Sequence, residues 1–379
     1  MRFLFYTHAL SSDWNHGNAH FLRGTMRALQ ARGHETRALA PFDAWSRANL
    51  AADQGIAALD RFSRDFPDLD EALYGRDFDH EAALAQADVV IVHEWTEPDL
   101  VAQIGRAKRA GGRFALLFHD THHRAVSSED DIAGLDLSDY DLVLAFGETL
   151  AERYRAQGWG RRVVVWHEAA DVRLFRPMPE VEKTHDLVWI GNWGDGERDR
   201  ELRDYLLDPV ADLGLSAIAH GVRYPPHALE ALARAKIPYR GYIANADVPA
   251  AFARARMTVH VPRRPYVESL PGIPTIRVFE ALACGLPLVC APWEDVEGLF
   301  RPGEDFLRAE DPDGMRAALA RLRDDSDRAA ALAASGLETI RARHTCDHRA
   351  DELLAALAEI DAVPFPKDET PEPALQVGA

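Results

Sequence analysis

The sequence predicts an α/β protein of two doubly wound domains, each a parallel sheet covered by helices on both faces. Its 379 residues exceed the roughly 250–300 residues at which a single hydrophobic core stops growing. Short apolar runs alternate with helical patterns, and the alternation pauses at a polar, proline-containing stretch, 173–185, before it resumes. We therefore predict one domain at 1–175 and a second at 186–345, with a ligand cleft between them.

The first strand–helix unit can be followed residue by residue. Residues 2–7 form a short apolar run typical of a buried strand, and a polar loop follows. Apolar residues at helical spacing predict a helix over 18–32. Gly33 is a typical residue to end that helix, because glycine adopts the left-handed conformation without strain. The second strand is predicted to begin at residue 34.

Three more apolar runs continue the first domain, at 87–93, 114–118 and 142–146. Each is short and bounded by polar residues or glycine, which is typical of a parallel strand buried on both faces. A helix is predicted between the first two, at 98–110. The stretch 42–86 is rich in aspartate and arginine, with apolar residues spaced as in helices, and we predict helical excursions there.

The second domain repeats the same alternation. We predict strands at 186–190, 216–220, 257–261 and 286–291, and helices at 198–213, 227–235, 248–255, 275–284, 311–343 (a helical pair) and 347–360. Residues 362–379 contain four prolines and no apolar periodicity, so we predict a disordered tail.

Composition excludes several classes of partner. The formal charge of −18 provides no positive field for nucleic acid, and no apolar run is long enough to span a membrane. The three cysteines have no metal-ligand or disulfide-framework spacing. We therefore expect a cytoplasmic protein without nucleic-acid partners or integral membrane contact. The sequence leaves the oligomeric state open.

The stretch 272–287 carries the most specific signal. Pro274 suits the opening of a helix, and the free backbone amides of Thr275, Ile276 and Arg277 can then bind an anion. Glu280 lies three residues after Arg277 on the same helix face, so the pair is placed to hold a phosphate and a ribose diol. The alternative is an ordinary helix with a surface Arg–Glu pair.

This stretch resembles the donor-site helix of GT-B glycosyltransferases, in particular the retaining group related to glycosyltransferase family 4 and its spore-maturation-type branch. The resemblance implies a GT-B fold of two Rossmann-like domains, with the helix at 346–361 crossing back to the first domain. It also implies that Glu280 holds the donor ribose. Family 4 carries a first glutamate where this chain has Gly272, and Glu268 substitutes for it if the following turn brings it back.

Two glycine-containing loops join the predicted donor site. Gly17 and Asn18 lie between the first strand and the first helix, where free amides suit a phosphate or an acceptor group. The alternative for Gly17 is a tight turn that needs glycine only for its backbone. The phrase at 31–35 resembles one that closes the first helix of many GT-B proteins.

In the second domain, Asn192 belongs to the glycine-rich loop 191–196, and Arg198 follows it, placed to pair with a diphosphate. Tyr242 and Arg263 lie where the resemblance places the base pocket and a second phosphate contact. For Tyr242, packing in the core is an equal alternative.

The predicted catalytic side chains are His119, Asp120 and Glu268. His119 and Asp120 directly follow an apolar strand, at the edge of a parallel sheet where site residues collect. A neutral imidazole held by a carboxylate can hydrogen-bond a sugar hydroxyl, and the resemblance gives His119 contact with the donor sugar. The alternatives are a metal site with His122 and His123, and a capping aspartate beside solvent-exposed histidines.

The function predicted from the sequence is transfer of a sugar from a nucleotide-diphosphate sugar to a saccharide, protein or small-molecule acceptor. Helix amides and arginines would stabilise the departing diphosphate without a cofactor or metal. The resemblance implies retention of anomeric configuration. Three alternatives stay open: a sugar-nucleotide epimerase or hydrolase, a non-catalytic sugar-nucleotide or glycan-binding protein, and a histidine-metal hydrolase.

Overall fold

The computed structural model describes residues 1–362 and forms two parallel sheets, one in each half of the chain. The strands of the first domain are β1 (Arg2–Tyr6), β2 (Glu35–Pro41), β3 (Glu71–Tyr74), β4 (Val89–His93), β5 (Ala115–Asp120), β6 (Leu142–Ala145) and β7 (Val163–Val165). Its helices are α1 (Asn18–Ala31), α2 (Trp45–Gln54), α3 (Arg61–Asp65), α4 (His80–Ala85), α5 (Pro98–Arg109), α6 (Arg124–Ser127), α7 (Glu129–Ala133) and α8 (Glu148–Gln157). The predicted disordered tail lies outside the described residues from position 363 onward.

The second domain has the shorter sheet. Its strands are β8 (His185–Ile190), β9 (Ala217–His220), β10 (Ala255–His260), β11 (Leu288–Cys290) and β12 (Leu307–Arg308). Its helices are α9 (Asp199–Leu202), α10 (Asp208–Leu213), α11 (Pro226–Arg234), α12 (Val248–Ala253), α13 (Arg264–Glu268), α14 (Ile276–Ala283), α15 (Pro312–Asp324) and α16 (Ser326–Arg343), and the chain continues into α17 (Cys346–Ala362).

Strand order shows that both sheets are doubly wound. The first is ordered β3-β2-β1-β4-β5-β6-β7 and the second β12-β11-β10-β8-β9, and all of these pairings are parallel. In each sheet the order reverses beside the first strand of the domain, which opens a crevice at the carboxyl edge. The predicted α/β class with two doubly wound domains is confirmed.

Two local differences from the sequence prediction have physical explanations. The stretch 42–86 contains β3 in addition to helices. This short edge strand carries too few residues to reveal a period of two. The predicted helix 198–213 is continuous from residue 199 but contains a π-helical turn at Arg203–Leu207, directly before Pro209. Proline lacks the amide that a regular helix needs at that position, so the turn widens to accommodate it.

Helix α17 packs on the first domain. Leu353 and Leu357 belong to the same apolar core as Phe21 and Trp166, below α1. The indole N–H of Trp166 donates to the carbonyl of Arg349 at 2.8 Å. These contacts tie the end of the described chain to the first domain. Within residues 1–362, no helix combines the length and the apolar composition needed to cross a bilayer.

Candidate active site

A cavity of about 450 Å³ lies between the carboxyl edges of the two sheets. Residues that follow β1, β4, β5 and β6 line it from the first domain, and residues that follow β8, β9 and β10 line it from the second. This is where doubly wound sheets bind ligands, because the helices that follow the strands direct their amino ends there. We call the two sides the first-domain wall and the second-domain wall.

Most of the predicted donor-binding residues line this cavity. They are Gly17, Asn18, Asn192, Arg198, Tyr242, Arg263, Thr275, Ile276 and Arg277. The tenth, Glu280, is fully buried and does not line it. None of the three predicted catalytic side chains lines it either.

Two arginines of the second-domain wall are held in place by one amide. The side-chain oxygen of Asn192 accepts a hydrogen bond from Arg198 at 2.9 Å and from Arg263 at 3.1 Å. The same amide donates from its nitrogen to the side-chain oxygen of Asn15, across the cavity, at 2.6 Å. Asn192 therefore fixes the spacing of both guanidinium groups and links them to the first domain.

Arg198 is a buried cation that bonds to neutral oxygens. It donates to the backbone carbonyl of Val261 and to both oxygens of Asn192, and it lies over the Trp189 ring at 5.1 Å. Burial, followed by repulsion from Arg263, lowers its pKa below the usual arginine value. An arginine stays charged even so, and a buried charge without an anionic partner is costly. An anionic ligand in the cavity would remove that cost.

Arg277 and Glu280 form an ion pair, as their spacing predicts, but the pair faces the first domain. Glu280 accepts a hydrogen bond from Nδ1 of His20 at 2.8 Å and is paired with Arg277. Nε2 of His20 in turn accepts the backbone amide of Asp171 at 2.9 Å. Each carboxylate oxygen of Glu280 therefore has a partner, one of them in the other domain, and the buried side chain does not line the cavity where the sequence predicts a ribose contact.

The amino ends of two helices meet at the cavity. Helix α14 begins at Ile276 with Thr275 as its N-cap, so Pro274 precedes the cap and does not open the helix as predicted. Gly17 caps α1 from the other side, and a methyl group there would lie 2.9 Å from Cγ2 of Ile276. Gly17 is therefore needed for the close approach of the two domains.

Glu168 lies between these two helix ends and lines the cavity. Its carboxyl accepts the side-chain amide of Asn18 at 3.2 Å and the backbone amide of Ile276. The other cavity carboxylates each pair with an arginine: Asp13 with Arg23, Asp195 with Arg223, and Glu197 with Arg263. No such pair involves Glu168 within the described part of the chain.

Burial raises the pKa of Glu168 from its usual 4.5 to about 8, and the nearby carboxylate of Glu280 contributes. The hydrogen bond from Asn18 opposes this shift without cancelling it. At neutral pH the carboxyl is therefore mainly protonated and can donate a hydrogen bond. Glu168 is not among the site residues predicted from the sequence.

The two candidates for the missing first glutamate do not reach the cavity. Gly272 has a φ of +90°, and a side chain at this position would overlap the Val296 side chain. Glu268 ends the short helix α13, where it is exposed to solvent and outside the cavity. The turn after Glu268 does not bring it back, which corrects the expectation that it contacts the transferred sugar.

His119 and Asp120 lie behind the first-domain wall. His119 is fully buried between the rings of Phe21 and Trp166, at 5.9 and 4.9 Å. Asp120 is also fully buried and accepts the Tyr154 hydroxyl at 2.7 Å. Burial, followed by repulsion from Glu94, raises its pKa to about 7. Because both residues still belong to β5, their side chains enter the packed layers on either side of the sheet and miss its edge.

His122 and His123 lie one turn further and line the cavity. They stack on each other at 4.1 Å, and His123 bonds Ser127 at 2.8 Å. Together with His119 and Asp120 they do not converge on one point. In the stretch 1–362, no cluster of three His, Cys, Asp or Glu side chains has metal-binding geometry. The arrangement therefore does not support the histidine-metal hydrolase.

Five aromatic residues of the first-domain wall were not predicted: His8, His16, Trp45, His93 and Trp95. His8 follows β1, while His93 and Trp95 stand at the end of β4. The sequence alone shows that these residues follow apolar strands. It does not show that they come together in one wall, because that depends on the strand order, in which β1 and β4 are neighbours.

The rim of the cavity is bridged by polar contacts between the domains. Asp13 accepts the hydroxyl of Tyr242 and the backbone amide of Asn245, the latter at 3.1 Å. Arg61 forms two hydrogen bonds to Asp247 at 2.6 and 2.7 Å. Tyr242 therefore faces the cavity and also joins the domains, whereas the sequence left core packing as an equal alternative.

Comparison with known proteins gives one family match. Residues 200–355 match the family described as "Glycosyl transferase-like". The match covers most of the second domain. A search of the curated proteins returns no significant match.

Solved structures of similar fold cover nearly the whole chain. They include Anabaena HepE in complex with UDP and glucose, with 16% identity, a TM-score of 0.67, and coverage of 95% of this chain and 100% of that one. Sucrose-phosphate synthase from Thermosynechococcus elongatus has 14% identity, a TM-score of 0.64, and coverage of 96% and 99%. An α-glucosyltransferase in complex with UDP has 11% identity, a TM-score of 0.64, and coverage of 94% and 99%. These similarities confirm the GT-B fold.

Proposed function

We propose that the protein is a glycosyltransferase that moves a sugar from a nucleotide-diphosphate sugar to an acceptor hydroxyl. One observation carries the proposal: Arg198, Arg263 and Arg277 line one wall of the interdomain cavity, beside the amino end of α14. Backbone amides and arginines in this arrangement are suited to a diphosphate. The family match of the second domain and the GT-B fold also support a glycosyltransferase function.

Uridine diphosphate is the nucleotide we propose first. HepE and the α-glucosyltransferase, which share this fold, were both solved with UDP. At 16% and 11% identity they do not determine the nucleotide of this chain, so GDP, ADP and TDP belong in the same test.

In the proposed reaction the bond between the anomeric carbon and the diphosphate oxygen breaks, and a bond from that carbon to the acceptor oxygen forms. The acceptor hydroxyl passes its proton to an oxygen of the departing diphosphate, which leaves with the electron pair of the broken bond. Arg198, Arg263 and the positive amino end of α14 stabilise the negative charge that grows on the diphosphate. We propose that no metal is required, because these groups supply the positive charge.

Glu168 is our candidate for the polar group nearest the reacting bond. It lies where the two helix ends meet, and its neutral carboxyl does not repel a diphosphate. It takes the place of Glu268 and His119 among the proposed catalytic residues. Retention of anomeric configuration is proposed from the family resemblance, and a cytoplasmic location from the composition.

The test is a transfer assay by mass spectrometry, with a panel of nucleotide sugars and acceptors and with EDTA in parallel. We expect one nucleotide sugar to yield a product heavier by one sugar residue, with turnover unchanged by EDTA. Proton NMR of the product then reports the anomeric configuration. Loss of turnover on chelation would contradict metal independence, and an inverted product would contradict retention.

A non-catalytic sugar-nucleotide binding protein is the second candidate. It is favoured by Gly272, where the resembling family has a glutamate, and by the exposure of Glu268. Nucleotide binding without transfer to any acceptor would favour it over the transferase. Conversion of the nucleotide sugar without an acceptor would instead indicate an epimerase or a hydrolase on this fold.

A further inference from the structure

Two tryptophans flank one histidine on the first-domain wall. The Trp45 ring lies 5.1 Å from the ring of His8, and the Trp95 ring lies 6.4 Å from it on another side. Both indoles line the cavity, and each is 37% exposed. Large aromatic side chains usually lose most of their exposure on folding, so two that remain open on one wall indicate a surface for a ligand.

Unsatisfied polar atoms accompany these rings. Nε2 of His16 and Nδ1 of His122 are buried and have no hydrogen-bond partner within the described chain. Both residues line the cavity, and only 6% of His16 is exposed. A buried polar atom without a partner is costly, so a ligand that bonds to it gains affinity. A hydroxyl group both donates and accepts, and therefore suits either nitrogen of a neutral imidazole.

The charge on this wall is unlike that on the wall opposite. The described residues that line the first-domain wall include no lysine or arginine. Burial lowers the pKa of His8 to about 4 and those of His16 and His122 well below the usual histidine value. Arg124 does not line the cavity: its guanidinium lies over one face of the Trp95 ring at 4.5 Å and donates to the carbonyl of Glu94 at 2.8 Å. A neutral ligand suits this wall better than an anionic one.

We propose that the first-domain wall is a saccharide-binding subsite that holds the acceptor through Trp45, Trp95 and the unpartnered imidazoles. A pyranose ring has an apolar C–H face that packs on an indole, and its rim of hydroxyls can bond the histidine nitrogens. The inference rests on the proposed function, because it names the acceptor class for the same cavity.

Other ligands fit less well. A single-stranded nucleic acid also stacks on aromatic rings, but it needs a basic groove for its phosphates. The −18 charge of the chain and the absence of lysine and arginine from the lining of this wall argue against it. The ligand is therefore identified by its chemistry, as a neutral saccharide with free hydroxyls.

The experiment measures saccharide binding directly, by saturation-transfer NMR on the full chain. The probes are neutral di- and trisaccharides of glucose, galactose, mannose and N-acetylglucosamine, with and without UDP. The same trisaccharides carried on an alkyl chain in detergent micelles distinguish a free acceptor from a lipid-borne one. A uronic-acid disaccharide and a short single-stranded oligonucleotide test the preference for a neutral saccharide.

The variants are Trp45→Ala and Trp95→Ala, with Phe42→Ala as the matched control, since Phe42 is 71% exposed and lies outside the cavity. We expect at least one neutral saccharide to bind, and to bind at least about tenfold more weakly in either tryptophan variant. Phe42→Ala should bind it as the native protein does. UDP should raise the melting temperature of all three variants equally, which shows that they fold and keep the donor site.

Three results would overturn the inference. The protein could bind UDP but no neutral saccharide, saccharide binding could be unchanged in both tryptophan variants, or the uronic acid or the oligonucleotide could bind more tightly than any neutral saccharide. If a saccharide binds through the tryptophans and no nucleotide binds at all, the proposed transferase fails while the saccharide subsite stands. The two proposals are therefore separable in one set of measurements.

Discussion

The two walls of the interdomain cavity differ in chemistry. The second-domain wall presents arginines that are pinned by Asn192 and by backbone carbonyls. The first-domain wall presents indoles and neutral imidazoles, with Glu168 at the border between the two. The first chemistry suits negative charge, and the second suits a neutral, hydroxylated ligand. A cavity between two similar sheets thus takes its chemistry from the residues that follow the strands.

The largest effect is expected from a substitution that changes only the second-domain wall. Arg263 and Arg264 are sequence neighbours, but only Arg263 lines the cavity, whereas Arg264 pairs with Glu201 outside it. Arg263→Gln should weaken UDP binding by about 2–3 kcal/mol, because a charge-assisted contact is lost. Calorimetric titration measures it. Arg264→Gln is the matched control, and equal losses in both variants would show that the arginines act through overall charge.

Titration of Glu168, which lies at the border between the two walls, should make the stability of the protein depend on pH. Folding raises the pKa of this acid from 4.5 to about 8, so the folded protein keeps a proton that the unfolded chain has released in that window. Stability should therefore fall as pH rises from about 5 to 8.

Glu168→Gln removes that dependence. The variant should be more stable than the native protein at pH 8, and this difference in the free energy of unfolding should shrink toward pH 5. UDP affinity of the native protein should also fall above pH 8, as the carboxylate forms beside the diphosphate. Denaturant unfolding across pH and a UDP titration at each pH measure both effects. Parallel pH profiles for the two proteins would contradict the assignment.

In the native protein, ligand affinity at the two walls should depend differently on salt concentration. Raising ionic strength from about 0.05 to about 0.5 M screens partly exposed charges, so we expect UDP affinity to fall roughly fivefold. Binding of a neutral saccharide should change by less than about twofold, since no net charge is paired. Titrations of both ligands at each salt concentration measure the difference. Equal salt dependence would remove the electrostatic distinction between the walls.

The His119→Leu substitution tests whether a residue behind the first-domain wall is needed for stability or turnover. His119 is fully buried, and both of its ring nitrogens lack a hydrogen-bond partner within the described residues. Replacing it with an apolar residue of similar size should change stability by no more than about 1 kcal/mol. Turnover should stay within about twofold. A loss of activity with unchanged stability would instead support the catalytic role predicted from the sequence.

The smallest effect is expected outside the cavity. Glu268 is exposed at the end of α13, so Glu268→Gln should leave stability within about 0.5 kcal/mol and transfer unchanged. The transfer assay and a thermal melt measure it. A large loss of transfer would mean that the turn after Glu268 moves it to the cavity when substrate binds.

The part of the cavity lining that the second domain contributes could be predicted because its signals are local. A helix start, a glycine loop and the arginines beside them lie within short stretches, and a helix amino end binds anions wherever it occurs. Asn192, Arg198 and Arg277 could thus be chosen without knowing the sheet order. The two doubly wound domains followed from the alternation of strands and helices for the same reason, and the GT-B arrangement followed from the family resemblance.

The other half could not be predicted, because it depends on which strands are neighbours and which way each side chain faces. His93 and His119 are paired in neighbouring parallel strands, yet only His93 lines the cavity. His119 is covered by the rings of Phe21 and Trp166, which come from other parts of the first domain. The pairing of Glu280 with His20 depends on how the domains pack, which no local pattern in the sequence reports.

Calorimetric titration of uridine, UMP and UDP into the native protein at low salt tests most directly whether the second-domain wall binds a diphosphate. If the second-domain wall holds a diphosphate, affinity should rise with each phosphate, and UDP should bind at least about a hundredfold more tightly than uridine. Equal affinity for all three, or no binding of UDP, GDP, ADP or TDP, would contradict the claim that this wall is a nucleotide-sugar site.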